Sequence, residues 1–139
     1  MPRPAVVLDT NVVVSAHLNL DGFERFVLDM SIAGTILACY SDSILHEYRN
    51  VLLRPKFGLT RSLVELSLEL IVRAGRRVTP GKGVSAAGDL DDNKFLECAE
   101  EARAQFLITG NKRHFPRSWR GTAVVSAREF VEILIPELE

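Results

Sequence analysis

Four short runs rich in Val, Leu and Ile, AVVLDT, TILACYS, QFLITG and TAVVS, punctuate the chain, and stretches of helical periodicity separate them. A brief apolar run bounded by turn formers reads as a strand buried on both faces. Strands that alternate with helices imply parallel pairing through helical crossovers. The intervening segments fit that role. GFERFVLDMSIAG sets Phe23, Phe26, Val27 and Met30 on one helical face and ends at a glycine suited to a C-cap, and DSILHEYRNVLLRPKF runs as a helix until Pro55 stops it. Leu63, Leu66, Leu70, Ile71 and Ala74 line a further amphipathic helix, and Arg76 to Thr79 reads as a short strand. After a Gly/Ser/Ala-rich connection, LDDNKFLECAEEARA presents Phe95, Ala99 and Ala102 on one face, and AREFVEILI is the final helix. The expectation is a parallel sheet covered by helices on both faces, in a single α/β domain spanning residues 1–139.

In such folds ligands gather outside the carboxyl ends of the strands. Asp9 stands at one such end and Asn111 at another. A net charge of −1 over 139 residues means that any site for a polyanion has to be a local patch. Cys39 and Cys98 lie far apart in apolar segments with no CxxC spacing, so they read as buried thiols in a reducing compartment, and the expected location is cytoplasmic. No apolar stretch reaches the length of a membrane span, and neither a P-loop nor a GxGxxG motif is present, which argues against a nucleotide cofactor.

An ionised carboxylate at the end of a buried strand is unfavourable unless something pairs with it. Asp9 therefore reads either as the cap of a following helix or as part of a metal or catalytic site. Glu47 shares a helical face with Ile44, Tyr48 and Val51, which puts it in or beside the apolar stripe. Asp92 has a helix N-cap or first-turn reading beside its functional one, and Asp89 and Asp91 read as loop and cap residues. Asp9, Glu47 and Asp92 are the three acids that this topology can bring together. Converging carboxylates raise each other's pKa, and a divalent cation between them relieves the repulsion. Oxygen ligands without His or Cys suit Mg²⁺ or Mn²⁺, ions that activate water and neutralise a phosphodiester during displacement. The chemistry implied is phosphodiester hydrolysis.

VVLDTNVVVSA, SDSILHEYRNVL and DLDDNKFLECAEEARAQFLITGNKRHF, taken in order, resemble the PIN-domain nucleases, in the VapC-related branch grouped with toxins of toxin-antitoxin systems. The likeness runs from Val6 to the final helix, and DDNKFLECA with LITGNKRHF carries most of its specificity. It implies a three-layer α/β/α sandwich with a central parallel sheet and an Mg²⁺- or Mn²⁺-dependent endoribonuclease acting on RNA. A homodimer and a cognate antitoxin protein are the expected partners. Asp9, Glu47 and Asp92 match the family's acids as metal- or water-holding ligands, and Thr10, Asn11 and Thr109 match small polar positions that orient the acids or bond the phosphate. Asn111 stands where many members carry a fourth Asp. Its amide oxygen can bind a hard cation but brings no charge. That departure supports an alternative reading, a catalytically weakened PIN-like domain that acts as an RNA- or protein-binding module.

NKRHFPRSWR places Lys112, Arg113, Arg117 and Arg120 among His114, Phe115 and Trp119, next to the expected site. Cations interleaved with aromatic rings hold phosphates and stack unpaired bases, so these four residues are the expected RNA-binding set. The competing reading is a solvated loop with its aromatics tucked into the core, and Phe115 is expected to be buried on either view.

Overall fold

A computed structural model describes residues 3–81 and 92–135. Along the chain run β1 (Ala5–Leu8), α1 (Thr10–Leu18), α2 (Phe23–Ala33), β2 (Leu37–Tyr40), α3 (Asp42–Leu52), α4 (Arg61–Ala74) and β3 (Arg76–Arg77). These are followed by α5 (Asn93–Ala102), β4 (Phe106–Ile108), β5 (Ser118–Trp119), β6 (Thr122–Val125) and α6 (Ala127–Leu134). The Gly/Ser/Ala-rich connection, Asp89 and Asp91 lie outside the described residues. The strands form one sheet in the order β3-β2-β1-β4-β6-β5, flanked by helices. All neighbouring pairs are parallel except β5 with β6, so the α/β expectation holds for a mixed sheet with mostly parallel strands.

β1 sits inside the sheet, and its Val6, Val7 and Leu8 are wholly buried, which explains why its sequence shows no polar alternation. Its register places Val6 beside Phe106 and Leu8 beside Ile108. β1 and β4 therefore end level, and the next residues, Asp9 and Thr109, emerge side by side. From α5, Phe95, Leu96, Cys98 and Ala99 pack into the core with no exposure, and Phe130 of α6 meets Phe106 edge to face with ring centroids 5.2 Å apart. Gly75 lets the start of β3 approach β2 closely, since a Cβ there would stand 2.4 Å from the Ala38 carbonyl oxygen.

Two features depart from the pattern read in the sequence. The segment of Ser118 and Trp119 is a strand and not a loop, turned back onto β6 by Arg120 and Gly121, both at positive φ (46° and 91°). Two consecutive positive-φ residues make the tight reversal that a two-residue hairpin needs. The faces of α2 and α4 also differ. Phe23, Phe26, Leu63 and Leu66 are exposed by 42–52% and not in the core. α4 is apolar around more than half its circumference, so periodicity alone cannot choose its buried face. It buries Val64, Ser67, Leu68 and Ile71, with the Ser67 hydroxyl 2.8 Å from Nε2 of His17 on α1.

Candidate active site

β1 delivers its carboxylate by running out of sheet. The Asp9 N–H still donates to the Ile108 carbonyl at 2.9 Å, but its ψ of 150° turns the chain into α1. Three successive valines at 12–14 are weak helix formers, and burial on nearly every side overrides that preference. Oδ1 of Asp9 accepts from the Thr10 N–H at 2.8 Å, so Asp9 is the N-cap of α1. Oδ2 accepts from the Thr109 hydroxyl at 2.7 Å, and that hydroxyl accepts from the Asn111 N–H at 2.9 Å. Burial, together with the negative charges of Asp92 and Glu47, pushes the Asp9 carboxyl up to about 6 against the hydrogen bonds from Thr109 and Thr10. Capping and site chemistry are thus not alternatives. The cap geometry holds a disfavoured charge in place.

α3 supplies Glu47. Its Ser41 N-cap accepts from the Ile44 N–H at 3.3 Å, and it buries Ile44, Tyr48 and Leu52, leaving Glu47 at the margin of the core. The Tyr48 hydroxyl donates to the Leu8 carbonyl and ties α3 to the end of β1. One Glu47 oxygen accepts from the Thr10 hydroxyl, and the other accepts from Lys94 at 2.6 Å. Asp92 stands at the head of α5 but makes no side-chain capping bond. Its carboxylate lies 3.3 Å from Nδ1 of His114.

All three acids line one cavity of about 1050 Å³, with Thr10, Asn11 and Asn111. Thr109 lies beneath it, fully buried. The Asn11 side-chain oxygen accepts from the Gly110 N–H at 3.1 Å, which joins the loop after β4 to the head of α1. Nδ2 of Asn111 lies 3.3 Å from the His114 ring. Among the described residues no three His, Cys, Asp or Glu side chains form a ready metal cage. Lys94 instead holds Glu47, and His114 flanks Asp92. The donor chemistry still fits a hard cation: carboxylates and side-chain amides line one space, and the most buried of the carboxylates carries a charge that its surroundings disfavour.

The cations expected to bind RNA lie elsewhere. Lys112 pairs with Glu129 at 2.8 Å, while Arg120 pairs with Glu100 and covers the Trp119 ring at 4.8 Å. Arg113 and Arg117 make no ion pair among the described residues and, with Lys112, line a separate cavity of about 330 Å³. None of the four lines the acid cavity, whose Lys and Arg residues among the described residues are Lys94 and Arg54. Sequence reasoning passed over both. The available signals were the place of Lys94 two residues after Asp92 and that of Arg54 seven residues after Glu47. Phe115 is buried as expected, edge to face with Phe95 at 6.5 Å, and Trp119 is half-buried in β5.

The PIN domain family profile matches residues 5–113, a span that includes Asp9, Glu47, Asp92 and Asn111. An uncharacterized protein of Methanocaldococcus jannaschii is 33% identical over 111 residues, covering 77% of this chain and 70% of that relative. With β1 to β4 and all three acids inside the matched span, the chain belongs to the PIN domain family.

Proposed function

We propose that the chain is a metal-dependent endoribonuclease that hydrolyses RNA phosphodiester bonds, and that it serves as the toxin of a type II toxin-antitoxin pair. The catalytic part rests on one observation: a buried, energetically unfavourable carboxylate, Asp9, opens into the cavity that Glu47 and Asp92 share. PIN domains are generally nucleases, which supports the same chemistry. On this reading Asp9, Glu47 and Asp92 hold Mg²⁺ or Mn²⁺, with the Asn111 amide oxygen beside them. A bound divalent ion supplies an activated water and neutralises charge on the phosphodiester. The chain's own residues set the stage. Thr109 and the Thr10 N–H fix the Asp9 carboxylate, the Thr10 hydroxyl and Lys94 orient Glu47, and Asn11 braces the loop after β4.

A second reading, a PIN-like domain that binds RNA or protein without cutting it, draws support from the uncharged Asn111 and from Lys94 on Glu47. Incubation of a generic single-stranded RNA with the protein in Mg²⁺, Mn²⁺ or chelator separates the two. Metal-dependent cleavage that disappears in Asp92→Asn supports the nuclease, whereas binding without cleavage under every condition supports the module. The toxin role rests on the resemblance to the VapC-related branch, and it predicts growth arrest on expression that a cognate antitoxin relieves. Cytoplasmic action belongs to the same proposal, as does a homodimer through the apolar residues that α2 and α4 expose, which sedimentation would read.

A further inference from the structure

The acid cavity is larger than a scissile phosphate needs. At about 1050 Å³ it has the size of sites that enclose whole small molecules. Beyond the acids it is walled by α3 and the turn that follows. Ser43, His46, Glu47, Asn50, Val51 and Arg54 continue one helical stripe at i, i+3, i+4, i+7, i+8 and i+11, and all six line the cavity. The adjoining stripe of Ile44, Tyr48 and Leu52 is in the core, which fixes how α3 is rotated. Arg54 then leaves the helix in an extended conformation, and a 3-10 turn over Pro55–Phe57, closed by Gly58 at φ +65°, returns Phe57 to the cavity wall. Phe57 is half-buried and packs against the core.

The groups on this wall differ from those at the acids. Of the cavity's Lys and Arg residues, Lys94 is held by Glu47, whereas Arg54 makes no ion pair among the described residues. Val51 and Phe57 add an apolar patch, and Asn50 Nδ2 lies 3.0 Å from His46 Nε2, a polar pair with capacity to bond a base edge. A guanidinium with no ion pair among the described residues, an aromatic ring over which the flexible Lys56 ammonium lies 5.1 Å from the centroid, where a base can displace it, and amide and imidazole groups make up the set that recognises a nucleotide whose base is not stacked in a helix. The seven-residue step from Glu47 to Arg54, most of it along α3 at about 1.5 Å per residue, spans about 10 Å, a distance that an extended strand covers in a nucleotide or two.

We infer that this wall is a nucleotide subsite for single-stranded RNA: with the scissile phosphate at the acids, Arg54 takes a neighbouring phosphate, Phe57 stacks the adjoining base, and Asn50 with His46 meets its edge. The inference rests on the ribonuclease reading and goes beyond it by assigning four residues outside the acids, Arg54, Phe57, Asn50 and His46, to a nucleotide flanking the scissile phosphate. A duplex offers no free base face to Phe57, so it is excluded as a good ligand.

The test is equilibrium binding of a fluorescently labelled, mixed-sequence single-stranded RNA hexamer, in Mg²⁺, to the full chain carrying Asp92→Asn to suppress cleavage. Arg54→Gln should weaken binding several-fold and reduce the slope of log affinity against log salt by about 0.7, the value for one phosphate contact on a single strand. Phe57→Leu preserves apolar packing but removes the ring, and should weaken binding about 5- to 100-fold, while Phe57→Trp keeps the parental affinity. Melting curves show whether each variant is folded. A duplex of the same sequence should fail to compete. Parental affinity in both Arg54→Gln and folded Phe57→Leu, or equal competition by duplex, overturns the subsite. If wild type still cuts RNA in that case, the ribonuclease reading stands without it. If wild type neither binds nor cuts the hexamer, both fall together.

Discussion

Replacing Asp9 with asparagine should make the metal-free protein more stable at neutral pH, and the gain should shrink in acid. Asp9 is 6% exposed, and burial together with Asp92 and Glu47 raises its carboxyl from 3.8 to about 6. A folded-state pKa above the unfolded value means that the folded protein holds this proton when the unfolded chain has released it. Stability from the group is therefore fully present below pH 3.8, falls as pH rises toward about 6, and stays lost above that. At about 1.4 kcal/mol per pKa unit, the loss above the window is about 3 kcal/mol. The Asp9→Asn variant would escape it. The new amide oxygen keeps the bond from the Thr10 N–H, but the amide nitrogen faces the Thr109 hydroxyl, which has to turn and accept. The shift to about 6 already nets the bonds from Thr109 and Thr10 against burial, so what the variant gives back is the poorer fit of its amide nitrogen to the Thr109 hydroxyl, about 1 to 2 kcal/mol. The net gain near pH 7.5 is about 1 to 2 kcal/mol, or about 3 to 7 °C in Tm for a domain of this size. Urea unfolding of chelator-treated wild type and Asp9→Asn at about pH 4, 6 and 7.5 reads it. A variant no more stable at neutral pH, or a difference independent of pH, refutes an ionised, disfavoured Asp9. Saturating Mg²⁺ or Mn²⁺ should then favour wild type, since a ligand at about 100 times its Kd adds about 2.7 kcal/mol to the form that binds it.

Three further perturbations probe the surroundings. Lys94→Met leaves Glu47 without its 2.6 Å ion pair, so Mn²⁺ should bind more tightly by calorimetry while the metal-free Tm falls; unchanged affinity would mean that Lys94 does not compete with a cation. Asn111→Asp adds a carboxylate to the cavity wall and should lower the Mg²⁺ concentration for half-maximal cleavage, whereas equal metal titrations for the two proteins would put residue 111 outside the coordination shell. Gly75→Ala sets a Cβ 2.4 Å from the Ala38 carbonyl oxygen and 2.8 Å from that of Ile71, so it should cost about 2 to 3 kcal/mol in urea unfolding; a loss under about 0.5 kcal/mol would show that the β2 to β3 approach yields easily.

The sense of the sheet was legible in the chain because a strand buried on both faces has to be apolar throughout, and Val6, Val7 and Leu8 state that condition locally. The place of Asp9 was legible for a similar reason: the end of a strand and the head of a helix are both local signals. The faces of α2 and α4 were not, because each carries more apolar residues than one face holds. Contacts with other elements choose among them, as His17 does by bonding Ser67. β5 was hidden because its turn rests on Arg120, a residue type that only tertiary constraint holds at positive φ. The cations show the limit most clearly. Lys112 and Arg120 looked poised for RNA beside Asn111, yet they are engaged by Glu129 and Glu100, while Lys94, 47 residues from Glu47 in sequence, reaches it. Coulomb attraction falls with distance and is screened beyond about 10 Å. Which charges meet is therefore decided by how distant segments pack, and composition carries no record of it.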